Sequence, residues 1–308
     1  MVDVSVKERF KIALDALVAK LREDPYVLAV VVAGSMSHDV VWDKSDIDLI
    51  IVTQEVKIRY TALNLTEDDV NIHAYLFPRS NFMRCLQGSI RSSFVHSLIA
   101  KGTLLYTRDE TIAQAFEARN EFGKRDQQVQ ALRWAAGALP AMYKAEKWLT
   151  VRRDCEYSAL YLLFCVNSLA GIEAVLHGEI TGREVIHQAM RLNPEVFNEL
   201  YLKRMQGNNK PEDLARALEI IQAYLRTRTN EIFGPVLEYL AESRTVRSAT
   251  DITDHFLKNM QIEGIDTVCE YLADEGIVRK LSSPVRVTEK SKISVEESAY
   301  YYDPDDII

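Results

Sequence analysis

Two largely apolar runs, 26–32 ("YVLAVVV") and 47–52 ("IDLIIV"), are separated by fourteen residues and bound what this chain can fold into. Each is rich in β-branched residues and too short for an ordinary helix, so both read as buried strands. Between them stand a Gly34-Ser35 pair and, ten residues further on, Asp46-Ile47-Asp48. Residues i and i+2 of a strand share a face, so the two carboxylates project together at the lip of the second run. Carboxylates that close repel one another unless a cation lies between them. Their hard oxygens suit Mg²⁺ (or Mn²⁺), which binds one or two carboxylates together with substrate phosphates. Gly34 allows close approach of the backbone to a ligand, and the local amides with the Ser35 hydroxyl can cradle phosphate oxygens. A Gly-Ser turn or an Asp-x-Asp alone is commonplace. The spaced combination between two buried strands describes a site for a nucleoside triphosphate and its metal.

At 308 residues the chain is too long for one ordinary core. Phe10, Leu14, Leu17 and Leu21 recur at helical spacing, so 5–22 is an amphipathic helix, ended by Asp24-Pro25. Residues 70–77 ("VNIHAYLF") alternate as a strand with one covered face, a helix follows through 81–86, and 102–107 adds an edge strand. From Thr111 the texture becomes helical, broken by a loop at 205–213. The tail reads as two short helices followed by strand-like runs, the order of a winged helix. The expected fold class is α+β: a small mixed-sheet domain over 1–110, an all-α helical bundle over 111–243, and a winged-helix-like domain over 244–308.

The G-S-x10-D-x-D pattern resembles the signature of the DNA polymerase β-like nucleotidyltransferase superfamily, with Gly34, Ser35, Asp46 and Asp48 at its positions. A second stretch, "EKWLTVRRDCEYSALYLLFCVNSLAG…MRLNPEVF", resembles the helical C-terminal domain of kanamycin nucleotidyltransferase and related HEPN-type bundles. The resemblance implies Asp46 and Asp48 as metal ligands, Gly34 and Ser35 as nucleotide-binding residues, and Lys147 as the cation that meets the phosphates. Read alone, Lys147 is equally a solvated helix lysine beside a packed Trp148. Two departures stand out. The family's third carboxylate falls on 70–77, where Asn71, His73 and Tyr75 occupy the open face and Asp68 and Asp69 only precede it. His73 is therefore the candidate ligand or base there, against the plainer role of a structural strand histidine. The family's glutamate base corresponds to Tyr143, while Glu146 faces elsewhere on the helix. Asp154 and Glu156 are the other acceptor-side candidates, and His38 stands where relatives carry an arginine. Arg183 and His187 are too closely spaced for a HEPN ribonuclease.

The implied activity is transfer of a nucleoside monophosphate from an NTP to a hydroxyl of an unidentified acceptor, small molecule or macromolecule. An alternative is a catalytically attenuated nucleotide sensor or interaction protein that keeps the NTP site. A winged-helix regulator is disfavoured, because 251–308 holds six basic against thirteen acidic residues, and the whole chain has a net charge of −8. Phosphate neutralisation dominates affinity for nucleic acid, so nucleic acid is not expected at this acidic domain. Four scattered cysteines fit a reducing compartment. No secretory leader and no stretch apolar enough to span a bilayer is read, so the expected location is cytoplasmic with no membrane partner. Self-association into a homodimer is a further expectation of the resemblance.

Overall fold

The computed structural model describes residues 5–33, 45–86, 99, 102–118, 124–182 and 184–304. The chain divides into two compact units, Met1–Phe122 and Gly123–Ile308.

The first unit begins with α1 (Val6–Glu23), which buries Phe10, Ala13, Leu14, Leu17 and Val18. The Ser5 side chain accepts the Glu8 amide at its start, and Lys20 and Arg22 face the negative end of its dipole. β1 (Val27–Ala33), β2 (Ile47–Thr53), β3 (Ala62–Glu67), β4 (Val70–Pro78) and β5 (Thr103–Thr107) form a sheet in the order β3-β4-β2-β1-β5. β2 and β4 are parallel, and the other neighbours are antiparallel. One face, with Val30, Val32, Ile47, Leu49, Ile51, Ile72 and Ala74, packs on α1. The other, with Ala29, Val31, Ala33, Ile50 and Val52, packs on Phe82 of α2 (Arg79–Leu86) and on Ile112 and Phe116 of α3 (Glu110–Glu117). Coverage on both faces is why β1 and β2 are continuously apolar.

The sequence reading passed over β3. Its alternation is weak, with only Leu63 and Leu65 turned inward, and it lies at the sheet's edge. Asp68 and Asp69 join it to β4 with φ of 47° and 60°. Two successive left-handed residues make the turn that matches the twist of a two-stranded hairpin, and Asp tolerates that conformation. Those carboxylates are turn residues.

The second unit contains α4 (Lys124–Lys147), a π-helical turn (Trp148–Arg152), α5 (Cys155–Leu176) and α6 (Val185–Leu192). Short helical turns between Pro194 and Met205 lead to α7 (Pro211–Thr227) and α8 (Thr229–Ser243). β6 (Arg247–Ser248), α9 (Ala249–Met260), α10 (Ile265–Asp274), β7 (Arg279–Val285) and β8 (Val295–Tyr301) follow, with the strands ordered β6-β8-β7. The apolar residues of 124–243 and of the tail form one continuous core, in which Ile252, Phe256, Ile265 and Leu272 join Leu139, Leu169 and Leu240. Arg133 of α4 donates to the carbonyls of Met260 (2.6 Å) and Gln261 (3.0 Å), satisfying the C-terminal end of α9.

α4 and α5 approach closely at Gly171, where a Cβ would stand 2.2 Å from Trp134 Cδ2. Two residues on, the buried Glu173 accepts a 2.6 Å hydrogen bond from the Tyr224 hydroxyl. α5 corrects the expectation that no stretch could cross a bilayer, since by length and composition it passes that test. Leu162, Cys165, Val166, Leu169 and Ile172 are nevertheless buried in the unit's core, which explains its apolarity without a membrane.

Candidate active site

Asp48 lies in β2 and Asp46 just before it. Ile47 and Leu49 point to the α1 face, so strand alternation turns Asp48 to the opposite side. Asp48 pairs with Ala33 of β1 on one side and, in the parallel ladder, with His73 of β4 on the other. His73 pairs in turn with Asn64 of β3. Residues opposite one another in a ladder share a face, so Asp48, His73 and Asn64 form one polar row. Asp46 joins it, with Oδ2 3.9 Å from His73 Nε2. That distance is too long for a hydrogen bond but close enough for the charges to feel one another. Asn64 and Asn71 are exposed, so the row opens to solvent on its β3 side.

The donor set therefore consists of two carboxylates and one imidazole nitrogen beside an open polar surface. Among the described residues, no three His, Cys, Asp or Glu side chains gather into a metal-holding group. Two carboxylates still suit a hard cation that takes its remaining ligands from phosphates and water. Asn64 was missed by sequence reasoning because β3 was missed. The alternation of Leu63 and Leu65 against Ala62, Asn64 and Thr66 was the available signal. Gly34, Ser35 and His38 lie outside the described residues. Ala33, the residue preceding Gly34, is the strand partner of Asp48.

In the second unit, Lys147 is exposed at the C-terminal end of α4. Next to it, Trp148 stacks on Tyr157 with centroids 4.7 Å apart. The Tyr143 hydroxyl is enclosed and has no hydrogen-bond partner among the described residues. Burial pushes its pKa up to about 12, with the carboxylates of Asp274, Glu146, Glu270 and Glu275 adding to the rise. Three of those four belong to or adjoin α10, so Tyr143 is turned toward the tail. Asp154 caps α5, accepting the Tyr157 amide at 2.9 Å. Glu156 is exposed in the first turn of that helix. Arg183 lies outside the described residues, and His187 is on α6.

Residues 15–111 match the family model "Polymerase beta, Nucleotidyltransferase". No curated protein matches the chain. Among solved structures, a nucleotidyltransferase-like protein from Exiguobacterium sibiricum 255-15 is similar with a TM-score of 0.62 at 14% identity. The match covers 95% of this chain and 99% of that one. Residues 15–111 are thus similar to the polymerase β nucleotidyltransferase model, and the fold is shared along nearly the whole chain with a nucleotidyltransferase-like protein.

Proposed function

We propose that this protein is a Mg²⁺-dependent nucleotidyltransferase. It would move a nucleoside monophosphate from an NTP to a hydroxyl acceptor. The acceptor oxygen attacks the α-phosphorus, the bond to the β-phosphate oxygen breaks, and pyrophosphate leaves while the hydroxyl proton passes to a base. The observation that carries this reading is the Asp46–Asp48 pair on one face of β2, in register with His73, within the matched domain.

Asp46 and Asp48 would hold the cation, whose bound charge offsets that of the phosphates during transfer. Gly34 and Ser35 would cradle the phosphates, and His73 would be the base that accepts a proton. Lys147 and Glu156 are exposed on the second unit, as the phosphate-side and acceptor-side roles implied by the resemblance would require. Asp154 is committed to its helix cap, and the enclosed hydroxyl of Tyr143 fits packing better than acceptor contact. The four free cysteines support a reducing, cytoplasmic setting. A second reading, a nucleotide sensor that retains binding with little turnover, is favoured by one observation. No third carboxylate stands with Asp46 and Asp48 among the described residues.

The test is calorimetric titration of ATP, GTP, CTP and UTP, with and without Mg²⁺, into wild type and Asp48→Asn. Metal-dependent binding that Asp48→Asn loses is expected. A folded wild-type protein that binds no triphosphate would sink both readings. Pyrophosphate release across an acceptor screen then separates the enzyme from the sensor.

A further inference from the structure

The tail's charge is strongly segregated. Five of the six basic residues in 251–308, namely Arg279, Lys280, Arg286, Lys290 and Lys292, fall within fourteen positions that contain one acid, Glu289. The structure makes those positions β7 and the connection to β8. Of the twelve other acids in the tail, Glu296 and Glu297 lie on β8, and several have internal partners. Glu270 binds Lys280 and the Tyr300 hydroxyl, Glu275 binds Arg226, Asp254 binds Lys258, and Glu297 accepts from Thr250.

Arg286, Lys290 and Lys292 are exposed and carry no ion pair among the described residues. The connection bearing them is internally held. The Thr288 amide donates to Ser291 Oγ, and the Ser291 amide to the Thr288 carbonyl, each at 3.0 Å. Beside the cations stand Val287 and Ile293, 77% and 76% exposed, the most exposed large apolar residues described in the chain. α10 is turned away from solvent by packing on α4 and carries no Lys or Arg.

We propose that the β7–β8 hairpin is a docking surface for the phosphate backbone of a nucleic-acid duplex, with Arg286, Lys290 and Lys292 as the phosphate contacts. A two-stranded ribbon fits a duplex groove, and aliphatic side chains among cations serve there as wedges. Residues 279–295 contain no aromatic residue. Single-strand binding needs aromatic stacking platforms, and membrane-surface loops are anchored by Trp and Tyr, so both are disfavoured. The summed charge of the tail conceals this surface: residues 279–301 hold five basic residues against Glu289, Glu296 and Glu297, while ten of the tail's thirteen acids lie off the hairpin. The proposal does not depend on nucleotide transfer.

The test is fluorescence anisotropy with a short labelled DNA duplex. Three phosphate contacts give a log–log salt slope of about −2.7, or a roughly 40-fold loss of affinity between about 50 and 200 mM salt. The variant Arg286→Gln/Lys290→Gln/Lys292→Gln should lose most of that slope. The charge-matched control Lys11→Gln/Lys57→Gln/Arg216→Gln should keep it, with circular dichroism confirming that both are folded. Wild-type binding that the hairpin variant retains would overturn the proposal. So would absence of duplex binding at low salt, or binding confined to phosphatidylserine vesicles.

Discussion

Gly171→Ala should destabilise the second unit, although helix propensity alone gives the opposite sign. Gly171 is buried in the interior of α5, where exchanging Gly for Ala ordinarily gains about 1 kcal/mol. Here the new methyl would lie 2.2, 2.3 and 2.7 Å from Trp134 Cδ2, Cε2 and Cε3. Ordinary carbon–carbon contact begins near ~3.5 Å, so the overlap is more than an ångström against a rigid ring. Leu132, Ala135 and Leu169, neighbours of the two residues along α4 and α5, are fully buried, leaving the indole little room to retreat. Overpacking of this kind costs about 3 kcal/mol at the upper end of its range, leaving a net loss of ~2 kcal/mol. For a unit of this size that is a fall of about 4–8 °C in Tm. Thermal unfolding followed by near-UV circular dichroism would measure it. In a Trp134→Ala background the same substitution should be neutral or stabilising, because its obstacle is gone. A Tm that rises in the single variant would refute the packing argument.

Asp109 caps α3, and hydrogen bonding from Thr111, then the Arg79 guanidinium at 2.6 Å, lowers its pKa to about 2. Its folded pKa lies below its unfolded value, so the stability it gives is present above about pH 4 and lost as pH falls toward 2, on the order of 1 kcal/mol after solvent screening. Asp109→Ala should flatten that part of the acid-unfolding curve and cost about 1 kcal/mol at neutral pH through the lost cap. Tyr224→Phe removes the 2.6 Å bond to buried Glu173, leaving His177 Nδ1, 3.5 Å away, to face the carboxylate among the described residues. A loss of about 1–3 kcal/mol in urea unfolding is expected, and no change would show that water replaces the hydroxyl. Tyr143→Phe should leave stability within ~0.5 kcal/mol or raise it, since the deleted hydroxyl makes no bond among the described residues. A large loss of nucleotide transfer in that variant would restore Tyr143 to the acceptor side.

The parts of the fold legible in the sequence are those whose environment is uniform along the segment. β1 and β2, covered on both faces, wrote themselves as apolar runs, and α1 as a stripe against one sheet face. β3 was lost because an edge strand with one poorly covered face needs only two apolar residues. Asp46 and Asp48 could be set on one face from the sequence, because strand alternation relates residues two apart. That His73 and Asn64 stand beside them depends on strand pairing across 16 to 25 positions, which periodicity cannot supply. For Tyr143, the position on α4 was readable, but not the packing of α10 against that helix.

The parallel pairing of β2 with β4 has a consequence for how a ligand would be noticed. The two strands belong to chain segments joined through the β3–β4 hairpin, and only sheet pairing brings Asp46 and Asp48 beside His73. A parallel pair is the slower kind to assemble and the weaker per residue. Any ion or nucleotide gripping side chains on both strands would act as a staple across that seam, absent from the unfolded chain. Its binding energy would then appear as resistance of the N-terminal sheet to melting. Shifts in the unfolding temperature of that sheet could identify the natural ligand before any reaction is known.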